Sequence, residues 1–240
     1  MAILQDTEGF YYSTDEYLGN PSDYAISNAR LLASMLINNY GWTEYGCAGV
    51  FSAISFESQF NPQQIQSFRS ESYVRANPTQ HVGCGYVQWS PGMVLLSWCD
   101  SQGIDWRLSS SQCQKLEMER QRQEVQYFLT DYRVMYWQNA TGGIVPPQTM
   151  DAYVTAQPTM WSPLQMAAAW VLFYERPGSL YDISKYHRNS EWVTYWYQVI
   201  TGQPLPTPPT VYPPGTGVEP PSGTGGSRMP IYFYPMFRRR

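Results

Sequence analysis

Apolar residues recur at helical spacing along most of the chain up to Gly202, and helix-stopping residues separate the runs. Ala25, Ala29, Leu32, Met35 and Leu36 fall on one face of a first helix. Ser22 or Asp23, after Pro21, can cap its start, and Gly41 ends it. Thr43 is the cap expected for a second helix, whose buried stripe is Cys47, Val50, Phe51 and Ile54, with Gly46 as a weak point. Asn61-Pro62 breaks that run, because a proline disfavours helical geometry at the residue before it. Residues 63–83 have no clean period and read as a long excursion or small strands. Further helices are expected over Pro91–Trp98, from Ser111 to Tyr127 or beyond, over Ser162–Phe173 with Pro163 at the first helical position, and over Ser190–Ile200. No internal repeat is evident, and the fold class that follows is mainly α.

The pattern also divides the chain. Residues 1–23 form a polar, tyrosine-rich arm and residues 24–202 a domain with its own core. After Gly202 comes a Pro/Gly/Thr tract, residues 203–229, which favours extended polyproline II and a flexible glycine-rich end. Residues 230–240 close the chain with the aromatic and basic sequence PIYFYPMFRRR. Three readings fit that terminus: an unstructured tail, a peptide that docks the domain onto a partner protein, or a weak membrane adsorber.

Composition narrows the function classes. The 240 residues are 43% hydrophobic and 16% aromatic, enough for a real core, but only 14% charged. A formal net charge of −4 provides no global attraction to nucleic acid or anionic lipid. No stretch approaches the roughly 20 apolar residues of a membrane span. The N-terminus has neither a basic nor an apolar signal region, so delivery outside the producing cell would need another route. Cys47, Cys84, Cys99 and Cys113 lack the CxxC spacing of a zinc site, and only His81 and His187 accompany them, so no metal or other cofactor is expected. Cys99 and Cys113 flank a turn-like segment that a disulfide could close; free, partly buried thiols are the alternative.

The candidate chemistry starts at FSAISFESQFNP, residues 51–62. Glu57 lies three positions after Ile54 and seven after Val50, on the face those residues bury. Burial disfavours the charged form, which is poor for stability and good for a general acid near neutral pH. A glutamate turned outward, or paired with Arg69 or Arg75, is the structural alternative. In GCGYVQWSP, residues 83–91, Gln88 can bond hydroxyl or acetamido groups, and Tyr86 and Trp89 offer faces on which pyranose rings can stack. Ordinary tight turns carry the same residue types. FYERP, residues 173–177, ends the most apolar helix with a carboxylate, a cation and Pro177, and places Tyr174 near the same cleft.

Taken together, ESQFNP and the GCGYVQW that follows it resemble the ES-x-FNP and G-x-G-x-x-Q-W pair of the phage tail lysozyme family. The likeness extends over roughly residues 24–200, including NNYGWTEYGCAGVFSAISFESQFNP, WCDSQGIDW, FYERP and EWVTYWYQV. It is strongest to the lysozyme domains at the tail knob of short-tailed phages. Those proteins often carry a zinc endopeptidase domain as well; here a Pro-rich tail and no metal motif follow. The resemblance implies an α+β lysozyme-like fold with few strands and cleavage of the β-1,4 bond between N-acetylmuramic acid and N-acetylglucosamine in peptidoglycan. It makes Glu57 the general acid and Gln88 a contact to an N-acetyl sugar, with Ser58 supporting the glutamate. Glu71, in the excursion before the glycine-rich turn, becomes the candidate second carboxylate; a solvated loop charge is the alternative. Glu175 beside Arg176 reads as a structural ion pair. The implied setting is the phage virion, acting at the host wall during genome entry, with residues 230–240 docked on other tail proteins. A lysis endolysin of the same chemistry, a lytic transglycosylase and a non-catalytic wall-binding module remain open alternatives.

Overall fold

The structure is a computed structural model that describes residues 2–122, 137, 147, 149–175 and 183–209. Its architecture is mainly helical, as the apolar periodicity requires. The arm is more than an extended lead-in. Leu4–Gln5 (β1) pairs antiparallel with Tyr11–Tyr12 (β2), Leu4 opposite Tyr12. The turn between them is closed by the Asp6 carboxylate, which accepts the amides of Glu8 and Phe10, each at 2.9 Å. Phe10 is buried in the core.

Helix α1, Asp23–Tyr40, begins at Ser22, whose side chain accepts the Ala25 amide, and ends at Gly41 in a left-handed conformation (φ 69°). Asn28, buried in α1, holds two distant segments together. Its Nδ2 donates to the carbonyls of Tyr11 (2.7 Å) and Phe60 (2.8 Å), while its Oδ1 accepts the Tyr11 amide (2.8 Å). The arm and the exit of the next helix are thereby pinned to α1.

Helix α2, Glu44–Glu57, is the central element. Thr43 caps it through the Gly46 amide, and each residue from Tyr45 to Ser55 is buried. Gly46 is therefore no weak point. A Cβ at that position would run into the backbone carbonyl of Val154, so glycine is what allows α2 to touch its neighbour. The elements sheathing α2 are α6 (Met150–Val154), α7 (Pro163–Ala169) and α8 (Ile183–Ile200), with α1 alongside. A reciprocal capping box between Ser162 and Gln165 starts α7, with Pro163 in its first turn. The chain continues from α7 as a π-helical run, Trp170–Glu175.

Between α2 and α5 (Ser109–Arg122) the backbone makes the excursion expected from its missing period, with less strand than anticipated. It holds a 3-10 turn (Gln66–Phe68), helix α3 (Glu71–Ala76) and isolated bridges joining Cys84 to Ile65 and to Trp89. Helix α4 runs Met93–Gln102, later than its expected start at Pro91, and α5 runs Ser109–Arg122. The expected continuation to Tyr127 lies outside the described residues. Helix α8 starts at Ile183 rather than at Ser190. Cys47, Cys84, Cys99 and Cys113 are free and buried, so the Cys99–Cys113 cross-link does not form. Burial pushes the Cys84 thiol up to about 12 and the Cys99 thiol to about 11. Residues 203–209 are irregular, and the remainder of the Pro-rich tract and the 230–240 peptide lie outside the described residues.

Candidate active site at the exit of the central helix

Glu57 is the last residue of α2 and is half-buried. The helix that carries it is buried on every side from Tyr45 to Ser55, and its final turn reaches the edge of the core. Ser58 follows as the C-cap. Its amide bonds the Ile54 carbonyl at 3.0 Å and its buried hydroxyl turns back to the same carbonyl at 3.5 Å. Ser58 thus closes the helix beneath Glu57. Gln59 and Phe60 then take positive φ (52° and 61°), reversing the chain. The turn is held by Gly19, whose amide donates to Gln59 Oε1 at 2.8 Å, and by Phe60, which packs edge-on against Phe51. Arg75, a possible partner of Glu57 on sequence grounds, is engaged by Glu71 and Asp100 instead.

The glycine-rich turn docks onto the segment leaving this helix end. Gly85 N–H donates to the Gln64 carbonyl at 2.8 Å, and Gln88 Nε2 donates to the carbonyls of Gln64 (3.1 Å) and Gly85 (2.7 Å). Gln88 is itself buried at 6% exposure, holds a positive φ of 52° and commits its amide N–H groups to backbone, so Oε1 is the part of the side chain that a ligand N–H would have to reach. The two aromatic neighbours need correction. Tyr86 and Trp89 are both buried and present no face to a sugar ring. The Tyr86 hydroxyl is bonded to Ser109 Oγ at 2.6 Å, and its amide donates to Gln112 Oε1. The Trp89 indole donates to Glu119 Oε1 at 3.0 Å. These rings anchor the turn.

Glu119 gathers three elements. Besides Trp89, it accepts from Lys115 Nζ and from the Tyr174 hydroxyl, each at 2.5 Å. Lys115 is buried, so the pair forms an interior ion pair whose remaining lone pairs are filled by Trp89 and Tyr174. Tyr174 also stacks on Trp170 (ring centroids 3.9 Å apart, planes at 20°) beside a small apolar cavity lined by Met150, Tyr153 and Ala169. The structure therefore brings Trp89 and Tyr174 together on one carboxylate, and Gln88 beside them in the chain. Sequence reasoning missed Glu119; its position four residues after Lys115 on a helix was the available signal.

Glu71 occupies a different setting. It opens α3, and its carboxylate accepts from Arg75 Nε (2.7 Å), Arg107 Nη2 (2.8 Å) and Trp106 Nε1 (2.9 Å). Partial burial would push its pKa up, but the hydrogen bonds from Trp106, Arg75 and Arg107 outweigh it and hold the group down at about 2. A carboxylate so strongly ionised is a weak general base. Arg176 and Pro177 of the FYERP stretch and the side chain of His187 lie outside the described residues. Among the described residues, no group of three or more His, Cys, Asp or Glu is placed to hold a metal ion, and no helix is long and apolar enough to cross a membrane.

Comparison with known proteins agrees with the geometry. Over 193 residues the chain is 22% identical to Morphogenesis protein 1 of Bacillus phage B103, an alignment covering 80% of this chain and 44% of that relative. The chain thus spans less than half the length of that relative. A profile of the phage tail lysozyme family matches residues 27–200, from α1 to the end of α8. With its central helix, glycine-rich turn and closing helices all inside that match, the chain belongs to the phage tail lysozyme family.

Proposed function

We propose that this protein is a virion-associated peptidoglycan glycosidase that cleaves the β-1,4 bond between N-acetylmuramic acid and N-acetylglucosamine, with Glu57 as general acid. The observation that carries the reading is the placement of Glu57 as the half-buried last residue of a helix that is buried from Tyr45 to Ser55. A carboxyl at the C-terminal end of a helix and at the edge of a core is the kind of setting in which general acids work. Glu57 protonates the leaving glycosidic oxygen as positive charge develops at the sugar ring. Gln88 Oε1 accepts from an acetamido N–H, fixing a sugar across the turn. Ser58 keeps the helix end closed beneath the acid. Glu71, tied up by three donors, contributes to the architecture of the α3–α4 edge more than to proton transfer.

Family membership and the similarity to a phage morphogenesis protein favour delivery by the particle over release as a lysis enzyme. In that setting residues 230–240 would dock onto another tail protein. Purified sacculi digested with the protein, and the soluble fragments identified by mass spectrometry, test the bond and the reaction type. Reducing N-acetylmuramic acid ends are expected. Anhydro-muramyl ends would instead make the protein a lytic transglycosylase, with the substrate's own hydroxyl replacing water. The absence of any soluble fragment would sink the enzymatic reading.

A further inference from the structure

Phe68 is an apolar residue held in a costly conformation and left in solvent. The 3-10 turn Gln66–Phe68 contains two consecutive non-glycine residues at positive φ, Ser67 at 58° and Phe68 at 52°. Bulky side chains avoid this region because Cβ crowds the following carbonyl. Burial repays that strain only in part, because Phe68 remains 37% exposed. Tyr17 of the arm, 39% exposed, packs edge-to-face against it with ring centroids 4.9 Å apart. A strained backbone that presents an aromatic ring outward, braced by a second ring from a distant segment, is a candidate contact surface.

The position says what. Gln66, two residues before Phe68, exchanges hydrogen bonds with Gly83: its amide donates to the Gly83 carbonyl (2.9 Å), and its Oε1 accepts the Gly83 amide (3.1 Å). Phe68 is thus mounted on the loop that carries Gln88. Tyr17 lies two residues from Gly19, which is bonded to Gln59, itself two residues beyond Glu57. Chain geometry then places the Tyr17 backbone within roughly 20–25 Å of Glu57 at most. That distance is spanned by a glycan strand only a few sugars long.

We infer that Tyr17 and Phe68 form an accessory sugar-stacking platform, a distal subsite for the peptidoglycan glycan strand. It rests on the glycosidase reading above, and it assigns a substrate contact to the arm, outside the residues matched by the family profile. A pyranose ring lies with its apolar C–H face on the exposed aromatic faces, gaining contact area from rigid side chains at low entropic cost. Strands long enough to reach from Glu57 to the platform gain affinity; shorter ones do not.

The test compares wild type with Phe68→Ala, Tyr17→Ala and Phe68→Gly. Substrates are uncross-linked glycan strands of alternating N-acetylglucosamine and N-acetylmuramic acid, from tetrasaccharides to strands of a dozen sugars or more. The platform predicts a KM raised about threefold to tenfold on the long strands, with kcat and tetrasaccharide turnover unchanged. Phe68→Gly separates binding from folding. Relief of the positive φ should hold or raise the melting temperature while the long-strand KM still rises. An unchanged long-strand KM in Phe68→Ala, in an enzyme whose wild type cleaves the strands, overturns the platform alone. A KM rise matched by a lower melting temperature in Phe68→Gly also overturns it and makes the ring a structural element. A wild-type protein that neither cuts nor binds the strands overturns the platform together with the glycosidase reading.

Discussion

Replacing Glu71 by glutamine separates two roles that a carboxylate can have, holding the fold and moving a proton. In the folded protein Arg75, Arg107 and Trp106 hold the Glu71 carboxyl at about 2, against an ordinary value of 4.5. At ~1.4 kcal/mol for each pH unit, that gap corresponds to about 3.5 kcal/mol without screening. The cluster sits at the surface, where the Arg75 and Arg107 side chains are 37% and 48% exposed, so solvent reduces the figure to about 1–2 kcal/mol. The sign follows from the direction of the displacement. A depressed carboxyl stabilises the fold fully above the unfolded value of 4.5 and loses that contribution as pH falls from 4.5 towards about 2. Urea unfolding of wild type and Glu71→Gln at pH 7, 4.5 and 3 measures this. The variant should be about 1–2 kcal/mol less stable at pH 7, and the difference should shrink on acidification. Its turnover of peptidoglycan at pH 7 should stay within about threefold of wild type. A stability difference that is flat with pH would refute the ion-pair reasoning. A hundredfold loss of turnover at unchanged stability would make Glu71 a reacting carboxylate after all.

Other residues give independent checks. Gly46→Ala places a methyl against the Val154 carbonyl and should destabilise the fold by about 3 kcal/mol or prevent folding, read as the urea midpoint. Asn28→Ala removes three hydrogen bonds that join the arm, α1 and the exit of α2. A loss of about 2–4 kcal/mol and faster hydrogen exchange at Tyr11 are expected. Glu119→Leu leaves buried Lys115 without its counter-charge and should cost about 3–5 kcal/mol in urea unfolding, whereas the double change with Lys115→Met should recover the part due to the unpaired charge and keep the cost of the Trp89 and Tyr174 donors left without an acceptor. The four thiols should ignore a thiol-specific reagent in the native protein and all react in denaturant, because burial raises each of them.

Much of the scaffold was readable because helix caps are local. Ser22, Thr43, Gly41 and Ser162 act where a capping residue precedes, or a glycine follows, an apolar run, and each does so in the structure. That α2 would end close after Glu57 was legible from Asn61-Pro62, but the helix stops earlier than that break, where Gln59 and Phe60 take positive φ. What depends on distant partners was not. Tyr86 and Trp89 look like sugar platforms in isolation, but Ser109, Gln112 and Glu119, more than twenty residues away, draw them inward. The Glu71–Arg75 pair lies at helical spacing and is visible in the sequence; Trp106 and Arg107 reach it only through the fold. The arm hairpin escaped because two-residue strands leave no alternation, and its turn is set by the Asp6 side chain. Gly46 shows the converse error. Helix propensity marks it as a defect, whereas packing against Val154 makes it necessary.

The most direct test of the account is the rate at which Glu57→Gln solubilises purified peptidoglycan, measured beside its melting temperature and that of wild type. Glutamine keeps the size of the side chain and removes the transferable proton. The account predicts a fall of about a hundredfold to ten-thousandfold with an unchanged melting temperature. A Glu57→Gln protein that solubilises peptidoglycan at the wild-type rate would contradict it.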